Sequence, residues 1–333
     1  MPARQATGGR DHAQGTGQEV QADSNMMTTE TKTVCRVLTG PTASGKTEIG
    51  IRLAKEMGWD ILCMDSMQIY RRMNIGTAKP TVEEMRGVPH HLLDICEPTD
   101  PYSVSDYREA AEKLIEALTA QGHETLFVGG TALYLQAMIH PMGMGQVSAN
   151  KELREDLNRL AETPEGKKIL HERLRQLDPV TAERLPLNDV RRVIRAIEVS
   201  EATGNPFSMQ PNRDVPTVYE WKVVSTAMER THLYERINER VTGMVRAGLR
   251  EEVAALLEEG VPEDAQSMQG IGYKEMVPCI RGKCSVGDAA ERIRLGTRHY
   301  AKRQMTFLRR EEQIRYVSTE EPDAYEQIRD LLK

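Results

Sequence analysis

Gly40-Pro41-Thr42-Ala43-Ser44-Gly45-Lys46-Thr47 is the stretch whose reading decides the fold. A short apolar run, Val34 to Leu38, leads into it, and Glu48–Met57 continues from it with helical spacing. Strand, glycine-bearing loop and helix start form the setting in which G-x-x-x-x-G-K-[ST] binds phosphate. The glycines let the backbone wrap an anion, successive N–H groups and the helix N-terminus point at it, and Lys46 adds a point charge. Thr47 is placed to reach a magnesium ion held by the same phosphates. Residues 40 to 47 therefore bind a diphosphate or triphosphate on an α/β fold with a P-loop NTPase-like parallel sheet core. The loop alone leaves open which compound it holds and what reaction follows.

Composition narrows the class. A chain of 333 residues suffices for one large domain or two intimate ones. The net charge of −6 excludes a chain that is basic throughout but says nothing about local patches. No apolar run approaches the ~20 residues needed to cross a bilayer, so no membrane is expected as a partner. The N-terminus lacks the apolar centre of a secretory signal. Five cysteines, odd in number and without a C-x-x-C pair, predict reduced thiols, a cytoplasmic location and no structural zinc. Residues 1–32 carry almost no large apolar side chains and are expected to be a flexible leader. A monomer is expected.

Further along, Ile61-Leu62-Cys63-Met64 reads as a buried strand ending in Asp65-Ser66-Met67-Gln68. Ligands of open α/β sheets sit beyond the carboxyl ends of strands, so Asp65 lands where chemistry is expected; the bland alternative is a helix N-cap. His90 and His91 are adjacent and cannot both face one metal from a regular element, which favours a structural or RNA-contacting role. Tyr102 to Leu118 predicts an amphipathic helix. Leu126-Phe127-Val128 predicts another strand, followed by Gly129-Gly130-Thr131. Many phosphate-loop NTPases place a magnesium-binding Asp there; two glycines permit close approach of a backbone or a ligand instead. Thr131 then opens a helix, with an N-cap as its plain role.

From 147 to 215 charged, helix-favouring sequence replaces short strands and predicts a helical insertion between a first core part, 33–146, and a second, 216–315, with a tail at 316–333. The sheet is expected to resume at Trp221 to Ala227. On the insertion, Arg191 and Arg195 share a helix face and offer a clamp for phosphates, or simply a solvated charged face. His232 to Leu257 reads as one long helix carrying Arg236 and Arg240. Arg292 to Arg310 holds seven Lys/Arg and no Asp or Glu, with His299, Tyr300 and Phe307 interleaved. A localised basic stripe in a negatively charged chain is the electrostatic footprint of nucleic acid.

Several segments together resemble one family, the bacterial-type tRNA dimethylallyltransferases or isopentenyltransferases. They are the loop at 40–47, Asp65-Ser66-Met67-Gln68-Ile69-Tyr70-Arg71, Gly76-Thr77-Ala78-Lys79-Pro80 and Val88-Pro89-His90-His91-Leu92. Val128-Gly129-Gly130-Thr131, Asn188-Asp189, Gly270-Ile271-Gly272-Tyr273 and Lys302-Arg303-Gln304 complete the set, which is collinear with the family over about residues 33 to 312. Two places depart from the pattern: Arg191-Arg192 stands where Gln-Arg is frequent, and Met305-Thr306-Phe307 where Leu-Thr-Trp is usual.

The resemblance implies transfer of a dimethylallyl group from dimethylallyl diphosphate to the N6 amine of the adenosine immediately 3′ of a tRNA anticodon, with Mg2+ as cofactor. It implies that the insertion closes over the anticodon stem-loop and that a flipped adenosine meets the donor in a channel. Asp65 would be the general base, with Thr131 and Arg236 beside it in the catalytic set. Gly40, Pro41, Thr42, Ala43, Ser44, Gly45, Lys46, Thr47 and Arg240 would hold diphosphate, and Thr47 the metal. Ser66, Met67 and Gln68 would line the space for the extruded base. Arg154, Arg191, Arg192, Val193, Ile194, Arg195, Arg298, Lys302, Arg303 and Gln304 would touch tRNA. The competing expectations are a phosphate-loop kinase of a small metabolite, a prenyltransferase acting on free adenine nucleotides, and an RNA-binding NTP switch without chemistry. None of the first two explains the basic stripe, and the last gives Asp65 no duty.

Overall fold

Strand β1, Thr33–Thr39, runs into the phosphate loop, and helix α1, Lys46–Met57, leaves it. The computed structural model describes residues 32–140, 150–209 and 218–333. The leader expected over 1–32 therefore lies outside the described residues except for Lys32, as do both ends of the expected insertion. After α1 come β2 (Asp60–Cys63), the one-turn α2 (Val82–Met85) and β3 (His90–His91). Then follow α3 (Val104–Ala120), β4 (Thr125–Val128) and α4 (Ala132–Ile139). Four helices succeed one another without a strand: α5 (Lys151–Leu160), α6 (Pro164–Leu177), α7 (Pro179–Arg184) and α8 (Val190–Thr203). The sheet resumes with β5 (Tyr219–Ala227), then α9 (Arg230–Arg246), α10 (Leu249–Glu258), α11 (Tyr273–Ile280) and α12 (Val286–Leu308). Strand β6 (Arg315–Ser318) and α13 (Ala324–Leu332) close the chain.

The six strands form one sheet in the order β3-β2-β4-β1-β5-β6. Every pairing is parallel. Alternation along β1 feeds both faces. Cys35 and Val37 join Leu62, Phe127, Tyr107 and Leu135 on the side covered by α3 and α4. Leu38 joins Ile61, Leu126, Ile51 and Ile328 under α1 and α13. A sheet covered on both faces is the expected state of all-parallel strands. The helices α5 to α8 have an apolar centre of their own, built on Leu157, Leu170, Leu174, Val193, Ile194 and Ile197. Among the described residues, no helix is long and apolar enough to cross a membrane.

Two local expectations change. The single helix expected over His232 to Leu257 is two, because Gly248 has φ 101 and turns the chain between α9 and α10. A residue without Cβ adopts that conformation without steric penalty, and the turn lets α10 pack back on α11 through Leu249, Val253 and Met276. His90 and His91 form the short edge strand β3: His90 Nδ1 is 2.8 Å from the Val88 carbonyl and His91 Nε2 2.9 Å from the Asp60 carboxylate. Both rings are thus hydrogen-bonded within the fold.

Register explains the two glycines after β4. Leu38 and Cys63 each stand level with Val128, so the chains leaving β1, β2 and β4 run side by side. A Cβ on Gly129 would lie 2.1 Å from the Met64 carbonyl oxygen, and one on Gly130 2.4 Å from Gln304 Nε2 and 3.0 Å from the Gly40 carbonyl oxygen. At 129 no larger residue fits while the strand ends keep this spacing, and at 130 one would displace the Gln304 amide. Gly129→Ala should destabilise the protein by about 2 kcal/mol or more, the scale of overpacking against backbone that cannot yield. The check is the urea midpoint, which should fall while the slope stays constant.

Candidate active site

The phosphate loop is braced from below and from the side. Gly40, at φ 141, lies so near β5 that a Cβ would stand 2.1 Å from Thr226 Oγ1. Ser44 Oγ is 2.6 Å from the same Thr226 hydroxyl and donates to the Pro41 carbonyl at 2.8 Å. From α12, Gln304 reaches across: its Oε1 accepts from Thr42 N at 2.9 Å and its Nε2 donates to the Gly130 carbonyl at 2.7 Å. One buried amide thus ties the loop to the end of β4. Lys46 Nζ rests 3.2 Å from the Pro41 carbonyl.

Asp65 emerges directly beyond β2 in a turn rather than a helix, so the N-cap alternative does not hold. Its Oδ1 accepts from Met67 N at 2.9 Å, which fixes the orientation of the carboxylate. Thr131 stands at the N-cap position of α4 but makes no side-chain capping bond there. Its hydroxyl accepts from Ser66 N at 2.9 Å and lies 3.3 Å from Ser66 Oγ. Thr131 therefore holds the Asp65–Ser66 turn in place. One cleft brings Asp65 together with Thr42, Lys46, Thr47, Arg240, Tyr300 and Gln304. A second shares Thr42, Asp65, Arg240 and Tyr300 and continues past Ser66, Met67 and Ile237 to Arg191 and Arg303. On the other side of the loop, Arg236 and Glu239 face Lys46, Thr47 and Glu48.

The site is electrostatically poised for an anion. Burial, aided by the neighbouring Arg240 charge, pushes the Lys46 ammonium down to about 8, and Asp65 only partly offsets this. Burial also pulls Arg240 below its usual value against the opposing charge of Asp65. An entering diphosphate would relieve both. Tyr300, whose phenol burial and the Asp65 charge push upward, lies beside Asp65, Thr131 and Gln304. Sequence reasoning placed Tyr300 only in a basic stripe; nothing in its spacing shows that it turns inward to Asp65.

Three of the expected tRNA contacts, Val193, Ile194 and Gln304, are buried, and others have partners within the protein. Val193 and Ile194 are 1% and 4% exposed in the core of the helical unit, because they occupy the inner face of α8, and their side chains reach no surface. Gln304 is an internal brace. Gln68 is occupied as well: its Nε2 lies 3.2 Å from both the Thr77 and Ala78 carbonyls and its Oε1 accepts from Cys63 Sγ. Arg154 and Arg195 both bind the buried carboxylate of Glu198, at 2.8 and 2.7 Å. Arg298 donates to Asn238 Oδ1 at 2.7 Å and lies over Tyr234. By contrast Arg191 and Arg192 are exposed on α8. Lys302 and Arg303 share one face of α12 with His299, Thr306 and Phe307, and Arg310, just past the helix, lines the same surface pocket.

A phosphate-loop α/β protein whose anion cradle, carboxylate and basic helix face meet in one cleft is a group-transfer enzyme in form. The chain belongs to the IPP transferase family, whose model matches residues 68–311. It is 45% identical over 295 residues to the tRNA dimethylallyltransferase of Shouchella clausii, covering 89% of this chain and 94% of that one. The full-length tRNA isopentenylpyrophosphate transferase of Bacillus halodurans superposes with a TM-score of 0.67 at 37% identity, covering 90% of this chain and 95% of that one. A eukaryotic dimethylallyltransferase crystallised acting on tRNA gives a TM-score of 0.72 at 26% identity, over 86% of this chain and 74% of its own.

The Lys46 value has a direct consequence. Below about pH 8 the ammonium is already charged and meets an anion without taking up a proton. Above it, binding must first protonate Lys46, so affinity falls by up to about tenfold per pH unit. Calorimetric titration of diphosphate between about pH 6.5 and 9.5 should show this fall in the wild type. Lys46→Met should lack it, and the difference between the two removes the ligand's own titration.

Proposed function

We propose that the chain transfers the dimethylallyl group of dimethylallyl diphosphate to the N6 amine of the adenosine 3′-adjacent to the anticodon in tRNA, releasing diphosphate. The observation that carries this is the placement of Asp65 in the same cleft as Lys46, Thr42 and Arg240, in a fold whose basic α12 faces outward beside it. A kinase would need none of α12's cationic face.

The N6 lone pair attacks the allylic C1 as the C1–O bond breaks, and the bonding electrons leave with diphosphate. An exocyclic adenine amine is a poor nucleophile until its proton departs, so a positioned carboxylate is required. Asp65 takes that proton. Loop amides, Lys46 and the Arg236–Arg240 pair hold the charge that grows on the leaving oxygen. Thr47, exposed at the head of α1 with Glu48 and Glu239 lining the same pocket, offers the hard oxygen donors that suit Mg2+. Magnesium would supply further charge neutralisation on the diphosphate. Thr131 holds the Asp65–Ser66 turn in place, and Tyr300 lines the same cleft. Arg191, Arg192, Lys302 and Arg303 bear on the tRNA backbone, the helices within 147–215 close over the anticodon stem-loop, and Ser66 and Met67 line the space for the extruded base. The enzyme works in the cytoplasm, in keeping with its five unpaired cysteines.

Incubation with tRNA, magnesium and labelled dimethylallyl diphosphate or labelled ATP, followed by nucleoside analysis, tests the reaction. Label in adenosine from the first alone is expected; phosphate transfer from ATP instead would overturn it. Asp65→Ala should slow prenyl transfer by about 10²–10⁴-fold, with the tRNA dissociation constant within about twofold of wild type. Lys302→Ala with Arg303→Ala should flatten the salt dependence of tRNA binding by about one to two units of log–log slope.

A further inference from the structure

Glu252, on α10, was singled out by no motif, yet its carboxylate is among the most fully engaged in the protein. Oε2 accepts from the backbone N–H of Asn74 at 2.9 Å and of Ile75 at 2.7 Å. Oε1 accepts from Gly76 N at 3.0 Å and from the Tyr273 hydroxyl at 2.7 Å. Three consecutive backbone amides converging on one carboxylate make an anion-binding nest, here filled from within the chain. Tyr273 is fully buried, and its ring lies so close to Gly76 that a Cβ there would be 2.5 Å away. Burial and the Glu252 charge both push its phenol upward, so it stays a donor.

The turn so pinned points its next carbonyl at the active site. Thr77 O accepts from Arg240 Nη2 at 3.3 Å and from Gln68 Nε2 at 3.2 Å. Arg240 in turn lines the cleft with Lys46, Thr47 and Asp65. An arginine must be held in one rotamer to serve a bidentate anion, and ordering so long a side chain on binding weakens affinity. We propose that Glu252 is a positioning residue for diphosphate: by holding the Asn74–Gly76 turn it fixes the Thr77 carbonyl that steers Arg240 toward the phosphate loop. The inference rests on the reading of Arg240 as a diphosphate contact, and it does not depend on which group the diphosphate carries.

The test is a double-mutant cycle read by calorimetric binding of inorganic diphosphate to the full-length protein. Glu252→Gln keeps the volume but replaces two acceptor oxygens by one, and should weaken binding about tenfold, the scale of hydrogen bonds lost by a charged partner. In an Arg240→Ala background the same substitution should add less than about twofold, since neighbours acting as one unit are not additive. The amides of Asn74 to Gly76 should exchange faster, and tRNA affinity should stay unchanged. Losses that multiply in the cycle, or an unchanged diphosphate affinity despite faster amide exchange, would overturn the proposal. If Glu252→Gln does not fold, Tyr273→Phe removes one of the donors and should show a smaller loss with the same non-additivity. Failure of the wild type to transfer a prenyl group would strike the proposed reaction alone, because this readout needs no reaction.

Discussion

The site depends on one close approach: three strand ends and the phosphate loop meet where Gly129 leaves no room for a Cβ. With β1, β4 and β2 adjacent and level at Leu38, Val128 and Cys63, the chain leaving β4 must pass between the Gly40 loop and Met64. Gly129 and Gly130 make that passage, and Gln304 closes it by bonding Thr42 N and the Gly130 carbonyl. A bulkier or acidic residue at 129 or 130 would push the loop from Asp65. The spacing that a diphosphate and a carboxylate need in order to share one cleft is therefore a packing property of the sheet.

That packing sets the electrostatics. Lys46 and Arg240 are both driven below their ordinary values by burial, and Lys46 also by Arg240's charge. Neighbouring buried cations, only partly offset by Asp65, make a site that favours an anion. Such preorganisation lowers the reorganisation needed as charge moves to a leaving group. Thr131, Gln304 and Glu252 then act in one manner: each holds a backbone turn that bears on the cleft.

Much of this was legible in the residues. The phosphate loop, the strand before Asp65 and the apolar run before Gly129 are local patterns, read directly from period and turn chemistry. The basic face of α12 was legible because charge segregation is a property of composition along one element. What escaped are contacts between elements far apart in sequence. Gln304 reads as part of a cationic stripe, yet the register of α12 against β4 turns it inward. Val193 and Ile194 share a run with Arg191, Arg192 and Arg195, and helical period divides that run between core and solvent. The break at Gly248 was hidden because a lone glycine within a helical pattern is tolerated as often as it turns the chain.

The arginines of the helical unit also divide by energy. Arg154 and Arg195 share the carboxylate of Glu198, which is 1% exposed and which hydrogen bonds hold charged in spite of burial. A buried carboxylate with two guanidinium partners is costly to break, because removing either partner strands charge away from water. These side chains are thus engaged in the α5–α8 contact. Arg191, Arg192, Lys302 and Arg303 are exposed; among them Arg192 spends part of its charge on Asp189 at 3.3 Å. Counterion release scales with the phosphates neutralised rather than with the arginines present in the sequence. The attraction for a tRNA backbone would therefore be concentrated on α12 and on the tip of α8 at Arg191, where the second cleft opens toward Asp65.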